Sequence, residues 1–327
     1  MENSVYYTGI DAHKQTCFLV TRDSEGKIVN EANLRSRSEL ITGYFDALPG
    51  RHHVVVESTC NWYWLRDELV PKGIQLTLAH SKFVKAISYA KVKTDKVDAA
   101  TLSQLHRSNL VPEAHQISVE LRGLRDMLRT RLRLVQRRTS AINSVHRVLE
   151  KFNVASLSEL DRFYQEQVRC HQEQRELLDE QIKRLERCIA EELKPNQHVK
   201  WLSELPGVGR IVAWTIYLEI DGIERFESVK RFHSYARLVP GSKDSGSRQR
   251  HKRSKDGNRY LKLAFSHAAV RAIQHYPQIK DWARRCARRK NPAIARALVA
   301  KQVATLAYYI LKHGEPFNGR FKAIELH

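Results

Sequence analysis

The first 80 residues alternate between β-type and helical patterns in one particular order, and this order limits the folds open to the chain. Three runs rich in β-branched and aromatic residues come first, over 5–10, 16–20 and 27–34. Helical and strand patterns then alternate, over 38–48, 53–56, 62–70 and 74–78. The run Val54-Val55-Val56 is continuously apolar, which is typical of a strand buried on both faces of a parallel sheet.

Three strands in a meander followed by α-β-α-β is the order expected of an RNase H-like fold. We therefore predict that 1–110 form an α/β domain of this kind. In such a sheet the first strand and the next parallel strand are central neighbours, so residues that end these two strands are expected to lie close together.

The middle of the chain, over 111–195, has the pattern of long helices. Apolar residues recur every seven positions, at Leu121, Leu128, Val135, Ile142 and Leu149. A second stretch, from Leu178 to Leu193, has three-and-four spacing, and 152–156 lie between the two stretches. We predict a helical coiled-coil hairpin that dimerises. A helical linker packed on its own chain is the alternative.

The last region, over 196–327, reads as a mostly α-helical domain. Leu205-Pro206-Gly207-Val208-Gly209 runs directly into a helical pattern over 211–220, as in a helix-hairpin-helix motif. Gly207 and Gly209 would let backbone N–H groups face a phosphate, although a turn without nucleic-acid contact remains an alternative. The segment 239–258 is rich in Ser, Gly and basic residues and is predicted to be an exposed loop. Helical patterns return over 259–274 and 292–312.

The charge of the chain is uneven. The whole chain carries 56 Lys and Arg against 36 Asp and Glu, a net charge of +20, but 1–110 carry 14 basic and 12 acidic residues. Over 230–296 there are 19 basic and 3 acidic residues. This density predicts nucleic-acid binding. The cations expected to contact phosphates lie in the basic loop: Arg248, Arg250, Lys252, Arg253 and Lys255.

The composition also narrows the cellular setting. No run of about 18 apolar residues occurs, and the N-terminus has no signal-peptide pattern, so we expect no membrane contact. The five cysteines are scattered without a C-x-x-C pair, which argues against a zinc ribbon or a disulfide framework. We expect a cytoplasmic, nucleoid-associated protein.

Four acidic residues stand at positions suited to metal binding. Asp11 follows the first strand pattern and Glu57 closes the buried one, while Asp95 and Asp98 share a helix face at spacing i, i+3. Clustered carboxylates repel one another unless a cation lies among them, and hard oxygen ligands favour Mg²⁺. Two such ions would support phosphoryl transfer. Taken singly, each acid also has an ordinary explanation as a helix cap, a turn residue or a solvated side chain.

Other catalytic patterns are absent from the sequence: H-E-x-x-H, G-x-x-x-x-G-K and G-x-G-x-x-G. Ser245 lies in the basic loop with Ser242 and Ser247, and serines in such loops are usually structural. A serine attacks phosphate only with help from a metal, a base or neutralising cations, which Arg248 and Arg250 would supply.

These motifs together resemble a known family. Gly9-Ile10-Asp11, Val56-Glu57-Ser58-Thr59 and Lys93 to Ala99 resemble the DEDD motif of the Piv-like insertion-sequence transposases, also known as bridge-RNA-guided DNA recombinases. Residues 205–209, 235–240 and 244–247 are similar to the second signature domain of that family. The chain departs from the family pattern at Cys60 and Asn61, where a glycine is usual. An asparagine there can still adopt a left-handed turn.

The resemblance implies a specific mechanism. A RuvC-like RNase H-fold domain would join a serine-bearing domain through a coiled coil, in dimers that pair into tetramers. Asp11, Glu57, Asp95 and Asp98 would hold Mg²⁺, and Ser245 would form a covalent phosphoserine with DNA. An element-encoded guide RNA would pair with donor and target DNA.

Two other functions stay open on the sequence alone. A metal-dependent nuclease of the Holliday-junction type would use the four acids and water, and would not need Ser245. A non-catalytic nucleic-acid scaffold would need none of the acids.

Overall fold

The computed structural model describes residues 4–59, 61–88, 94–245, 248–252, 256–321 and 324–325 of the chain. The chain forms two compact units, 1–116 and 117–327. Residues 111–195, which the sequence separates as a region of its own, are divided between the two units, with both long helices in the second.

The first unit is built on a five-stranded sheet with the strand order β3-β2-β1-β4-β5. The strands are β1 (Val5–Ala12), β2 (Thr16–Arg22), β3 (Ile28–Arg35), β4 (Arg51–Glu57) and β5 (Gln75–Ala79). β1, β2 and β3 form an antiparallel meander, while β4 runs parallel to β1 and β5 parallel to β4. The predicted mixed sheet is therefore present, and its strand order fits an RNase H-like domain.

Helices cover both faces of this sheet. They are α1 (Ser38–Asp46), α2 (Trp62–Leu69), α3 (Ser81–Ile87) and α4 (Asp95–Arg107). On one face, Tyr44 of α1 bonds through its hydroxyl to the Thr21 hydroxyl at 2.8 Å. On the other, α4 lies so close to β1 that a Cβ built at Gly9 would be 2.1 Å from the carbonyl oxygen of Ala99. Glycine is required at position 9 because α4 occupies the space of a side chain.

The second unit begins with two long helices, α5 (Val119–Phe152) and α6 (Arg162–Leu193), that pack against each other. Leu178 and Ile182 are buried in α6, and Arg138 and Asp179 form an ion pair across the two helices at 2.7 Å. α5 ends at Phe152, where Asn153 has φ 51°, so the chain reverses within the segment predicted to turn. Of the heptad positions, only Leu128 is fully buried.

The rest of the second unit is a helical core with two short sheets. The helices are α7 (Gln197–Ser203), α8 (Arg210–Ile220), α9 (Val229–Tyr235), α10 (Arg259–His275), α11 (Pro277–Arg289) and α12 (Pro292–His313). The strands are β6 (Gly241–Ser245), β7 (Arg248–Lys252), β8 (Arg320–Phe321) and β9 (Ile324–Glu325). Phe232, Phe265 and Val299 are fully buried at the centre.

α12 is long and apolar enough to cross a membrane by length and composition alone, although it has no uninterrupted apolar run of about 18 residues. In this unit its apolar residues Val303, Ala304 and Ala307 are fully buried in the helical core. The core therefore accounts for the apolar character of α12.

Candidate functional site

Two of the predicted acids lie at the ends of paired parallel strands. Ile10 of β1 pairs with Val56 of β4, and Asp11 and Glu57 each follow by one residue. Parallel strands lie about 4.8 Å apart. Gly9 and Val55, two residues earlier, both face α4, so Asp11 and Glu57 emerge on the α4 face as well. β1 continues through Asp11 to Ala12, two residues beyond the strand pattern over 5–10.

The other two acids open α4. Thr94 caps the helix by accepting a hydrogen bond from the backbone N–H of Val97 at 3.2 Å, and Asp95 and Asp98 lie in the first turn. Acidic residues at a helix N-terminus are favoured by the helix dipole. Since α4 packs along β1, its first turn is brought toward Asp11. The structure thus gathers Asp11, Asp95 and Asp98 within electrostatic range of one another.

A histidine that sequence reasoning missed joins this cluster. His13 Nε2 lies 3.2 Å from Asp11 Oδ2 and 3.5 Å from Asp95 Oδ1. These three residues form a group whose ligand atoms all lie within 4.8 Å of one another, and the predicted ligands Glu57 and Asp98 lie outside that group. The spacing of Asp11 and His13 was the available signal, because His13 directly follows β1 and residues i and i+2 of an extended chain share one face.

The electrostatics of the cluster suit a divalent cation. Burial raises the pKa of the Asp11 carboxyl; His13 opposes this shift, and the negative charges of Asp95 and Asp98 add to it. A partly buried carboxylate beside two others is the environment that a bound cation would stabilise. Carboxylate oxygens are hard ligands, so the donor set fits Mg²⁺ or a similar ion.

The chain after Glu57 is tied to the end of β1. The side-chain amide of Asn61 donates to the carbonyl oxygen of Ala12 at 3.3 Å. Asn61 has φ −103°, so it does not use the left-handed turn that an asparagine permits. Its fixed side chain serves the contact with β1 instead. Cys60 lies outside the described residues.

The segment around Ser245 is not the loop that its composition predicted. Residues 241–245 and 248–252 are strands of an antiparallel hairpin, in which Gly241 pairs with Lys252 and Ser245 pairs with Arg248. Arg250 lies opposite Lys243 in the same register. Ser245 is therefore the last residue of β6, and Arg253 and Lys255 lie outside the described residues. The hairpin escaped prediction because its strands have no apolar alternation to mark them.

The two glycines of the 205–209 turn differ in what requires them. Gly207 has φ 75°, and a Cβ there would be 2.1 Å from the carbonyl oxygen of Ala268 in α10, so internal packing explains this glycine. A Cβ built at Gly209 would meet no atom of the described residues within 4 Å. Gly209 opens α8 beside an open groove of about 720 Å³, which is lined mostly by apolar residues together with the basic Arg210 and Arg271.

A second basic surface lies on α11, which the sequence patterns did not single out as a helix. Ile279 and Ala283 bury one side of α11. The remaining positions include a row of exposed cations at Lys280, Arg284, Arg285, Arg288 and Arg289. The only acid on this helix is Asp281, which pairs with Arg284 at 3.5 Å.

Comparisons with known proteins agree with this arrangement. Residues 8–154, from β1 to the turn after α5, match a transposase model of the DEDD type associated with IS110. Residues 199–284, from within α7 to within α11, match the model of the transposase IS116/IS110/IS902 family. The two matches fall in the order in which the acidic and serine motifs occur along the chain.

Curated relatives match most of the chain. The transposase for insertion sequence element IS1111A of Coxiella burnetii is 23% identical over 95% of this chain and 90% of its own. The transposase for insertion sequence element IS1328 of Yersinia enterocolitica is 21% identical over 96% of this chain and 99% of its own. The pilin gene-inverting protein of Moraxella lacunata is 24% identical over 82% of this chain and 82% of its own. The chain belongs to the DEDD insertion-sequence transposases related to IS110, and it is a DNA-recombining enzyme.

Proposed function

We propose that this transposase cleaves and exchanges DNA strands with two sets of residues, an acidic cluster that holds Mg²⁺ and a serine that becomes joined to DNA. The observation that carries the proposal is the convergence of acidic residues at the end of β1 in a chain of the DEDD family. Asp95 and Asp98 raise the pKa of Asp11 through their negative charges, and a bound cation would offset this repulsion.

The metal is assigned to the four carboxylates at this edge, Asp11, Glu57, Asp95 and Asp98. When bound as two ions, Mg²⁺ would activate an attacking hydroxyl and neutralise charge that develops on the phosphate. The carboxylates hold that position because β1, β4 and α4 are fixed by the sheet register and by the packing at Gly9.

Ser245 is assigned the attack on the DNA phosphodiester. Its hydroxyl oxygen forms one P–O bond while the bond to a DNA oxygen breaks, and the serine proton passes to the leaving oxygen. A DNA hydroxyl then attacks the phosphoserine in the reverse sense, so strands are exchanged without an outside energy source. The basic residues of the hairpin, Arg248 and Arg250 first among them, would neutralise the phosphate.

Nucleic acid would be held by backbone contacts spread over the second unit. The proposed contacts are Gly207, Gly209, Arg248, Arg250, Lys252, Arg253 and Lys255, and we add the exposed cations of α11 to them. An element-encoded guide RNA would select donor and target DNA by base pairing, while the protein's cations would hold the phosphate backbone. The active form would be a dimer, paired to a tetramer during strand exchange, in the cytoplasm on the nucleoid.

A covalent-trapping assay tests this function. The protein is incubated with the flanking RNA of its element, labelled junction and target DNA, and Mg²⁺, and is then separated on a denaturing gel. We expect a protein–DNA adduct that requires Mg²⁺ and is absent in Ser245→Ala and Asp11→Asn. Ser242→Ala is the matched control, because Ser242 lies on the same strand, and it should keep the adduct.

Cleavage without any adduct, unchanged in Ser245→Ala, would replace the phosphoserine mechanism with metal-dependent hydrolysis of a DNA junction. An adduct that persists in Ser245→Ala but disappears in Ser247→Ala would move the nucleophile along the hairpin. Identical activity with and without the flanking RNA would remove RNA guidance from the proposal.

A further inference from the structure

The segment that carries Ser245 leaves the helical core and returns to it at one place. At its base, the backbone N–H of Asn258 donates to the carbonyl oxygen of Tyr235 at 2.6 Å. Arg237 Nε donates to the carbonyl oxygen of Gly257, also at 2.6 Å. The outgoing and returning chains are therefore bonded to each other before the hairpin of β6 and β7 begins.

The backbone at this base permits little variation. Arg237 has φ 56° and Gly257 has φ 98°, both in the left-handed region. A Cβ at Gly257 would be 2.3 Å from the carbonyl oxygen of Tyr235, so the two chains run too close together for a side chain at this position. Whatever fixes the position of Arg237 and Gly257 therefore also constrains where the chain enters the hairpin.

Asn258 connects this base to the core with both ends of its amide. Its Oδ1 accepts from the backbone N–H groups of Tyr260 and Leu261 at 2.8 and 3.0 Å, and so caps α10. Its Nδ2 donates to Glu219 Oε2 at 2.7 Å. The first contact is an ordinary helix cap, whereas the second ties the base to a charged residue of α8.

Glu219 is a buried carboxylate, 3% exposed, whose other partner comes from α5. Arg129 donates to both of its oxygens at 2.7 Å and lies over the ring of Tyr260 with its guanidinium carbon 4.5 Å from the centroid. Burial lowers the pKa of Arg129, but the bonds and charge of Glu219 outweigh it and leave that pKa raised.

A buried ion pair is a poor source of stability, because apolar residues of similar volume serve equally well. Such pairs are best explained where they fix one geometry among several. Here the fixed geometry is that of the base relative to α5 and α8.

We propose that Arg129, Glu219 and Asn258 form a positioning network that sets the orientation of the serine-bearing hairpin relative to α5. The three residues act through the base of the hairpin and touch neither DNA nor metal in this role. The inference rests on the proposed function of Ser245 as the nucleophile. It assigns to α5 a direct structural connection with the serine site.

Variants of Asn258 and Glu219 test the network. Asn258→Ser keeps an oxygen that caps α10 and removes the amide nitrogen, which donates to Glu219 at 2.7 Å and to the Tyr235 hydroxyl at 3.5 Å. Asn258→Asp also keeps the cap but places a second carboxylate against Glu219. Combining Asn258→Asp with Glu219→Gln restores one donor and one acceptor between the two residues and leaves Arg129 an oxygen to bind.

We expect Asn258→Ser and Asn258→Asp to slow adduct formation by about 10- to 100-fold, the cost of a misplacement of about 1 Å in a reacting group. DNA affinity should stay unchanged, and the backbone amides of β6 and β7 should exchange hydrogen faster. The double variant should recover adduct formation to within about threefold of the parent, as expected for coupled residues. Arg131→Gln is the matched control, because its pair with Glu186 joins α5 to α6 instead.

The results separate this inference from the function beneath it. If Ser245→Ala abolishes the adduct while Asn258→Ser leaves its rate and the amide exchange unchanged, the network is only structural and the inference is refuted. A double variant no better than Asn258→Asp would also refute it. An adduct that survives Ser245→Ala would instead refute the role of Ser245.

Discussion

Replacing Gly9 with alanine tests whether the packing of α4 on β1 assembles the acidic cluster. A Cβ at this position would lie 2.1 Å from the carbonyl oxygen of Ala99 and 2.6 Å from the backbone nitrogen of Ser103. Non-bonded atoms of this kind settle at about 3.5 Å, so α4 must retreat by about 1.4 Å. Asp95 and Asp98 move away from Asp11 with the helix that carries them.

The loss of stability depends on which atoms the new methyl group contacts. Overpacking costs about 1–3 kcal/mol, and the upper part of that range applies because the obstructing atoms are helix backbone that cannot rotate aside. A loss of about 2 kcal/mol lowers the melting temperature of a unit this size by about 8 °C. The same displacement weakens Mg²⁺ binding. In the parent, Mg²⁺ at 100 times its Kd would raise the free energy of unfolding by about 2.7 kcal/mol.

Scanning calorimetry of the full chain with and without Mg²⁺ measures both effects. Gly43→Ala is the matched control, since Gly43 is exposed on α1 and a Cβ there meets no described atom within 4 Å. That control should be stabilised by about 0.5–1 kcal/mol and keep its full response to Mg²⁺. The reasoning fails if Gly9→Ala is as stable as the parent, or if it loses stability yet keeps the whole Mg²⁺ response.

Three further predictions concern charge. Burial raises the pKa of Asp11 above 3.8, so ionisation of this carboxyl destabilises the fold as pH rises through its folded pKa. Without metal, Asp11→Asn should therefore melt at a higher temperature than the parent at neutral pH and at the same temperature at low pH. Calorimetry of this variant should show no stabilisation by Mg²⁺. His233 is buried, and its ring nitrogen Nε2 lies 3.1 Å from the Thr305 hydroxyl. Burial lowers the pKa of His233 from 6.5 to about 4, so between these pH values the histidine is protonated in the unfolded chain and neutral in the folded chain. Stability should therefore fall as pH drops from 6.5 to 4, and denaturant titrations of His233→Gln should show a smaller fall. Arg288→Gln on α11 should lower the slope of log affinity against log salt by about 0.9 in DNA-binding titrations, whereas Arg169→Gln on α6 leaves it unchanged; equal slopes would exclude α11 from the interface.

The strands of the first unit were predictable because burial leaves a pattern in the sequence. The apolar run 54–56 identified β4, whose observed bounds are Arg51–Glu57, and the order of strands and helices identified the mixed sheet. The placement of Asp11 beside Glu57 followed from the same order, since adjacent parallel strands end at one edge. The helix of Asp95 and Asp98 was likewise visible from its acidic first turn.

Other features leave no pattern of this kind. The strands β6 and β7 consist of glycine and polar residues alone, so their composition was indistinguishable from that of a loop. The contact between Glu219 and Asn258 joins residues 39 positions apart, and a buried polar contact has no periodicity in the sequence. α11 was overlooked because its apolar side is narrow and its cations dominate the composition.

Side chains along β1 point alternately to the two faces of the sheet, and this limits where the chain can gain or lose a residue and still fold. Gly9 and Asp11 face α4 while Ile10 between them is fully buried toward the opposite layer. Inserting or deleting one residue between Gly9 and Asp11 would turn the carboxylate to the other side of the sheet and drive a larger side chain into α4. Length changes in the turn after β2 carry no such penalty, because the side chains of β2 and β3 can stay on the same faces of the sheet. We expect viable length variants of this chain to fall in its turns, with the spacing from Gly9 to Asp11 left intact.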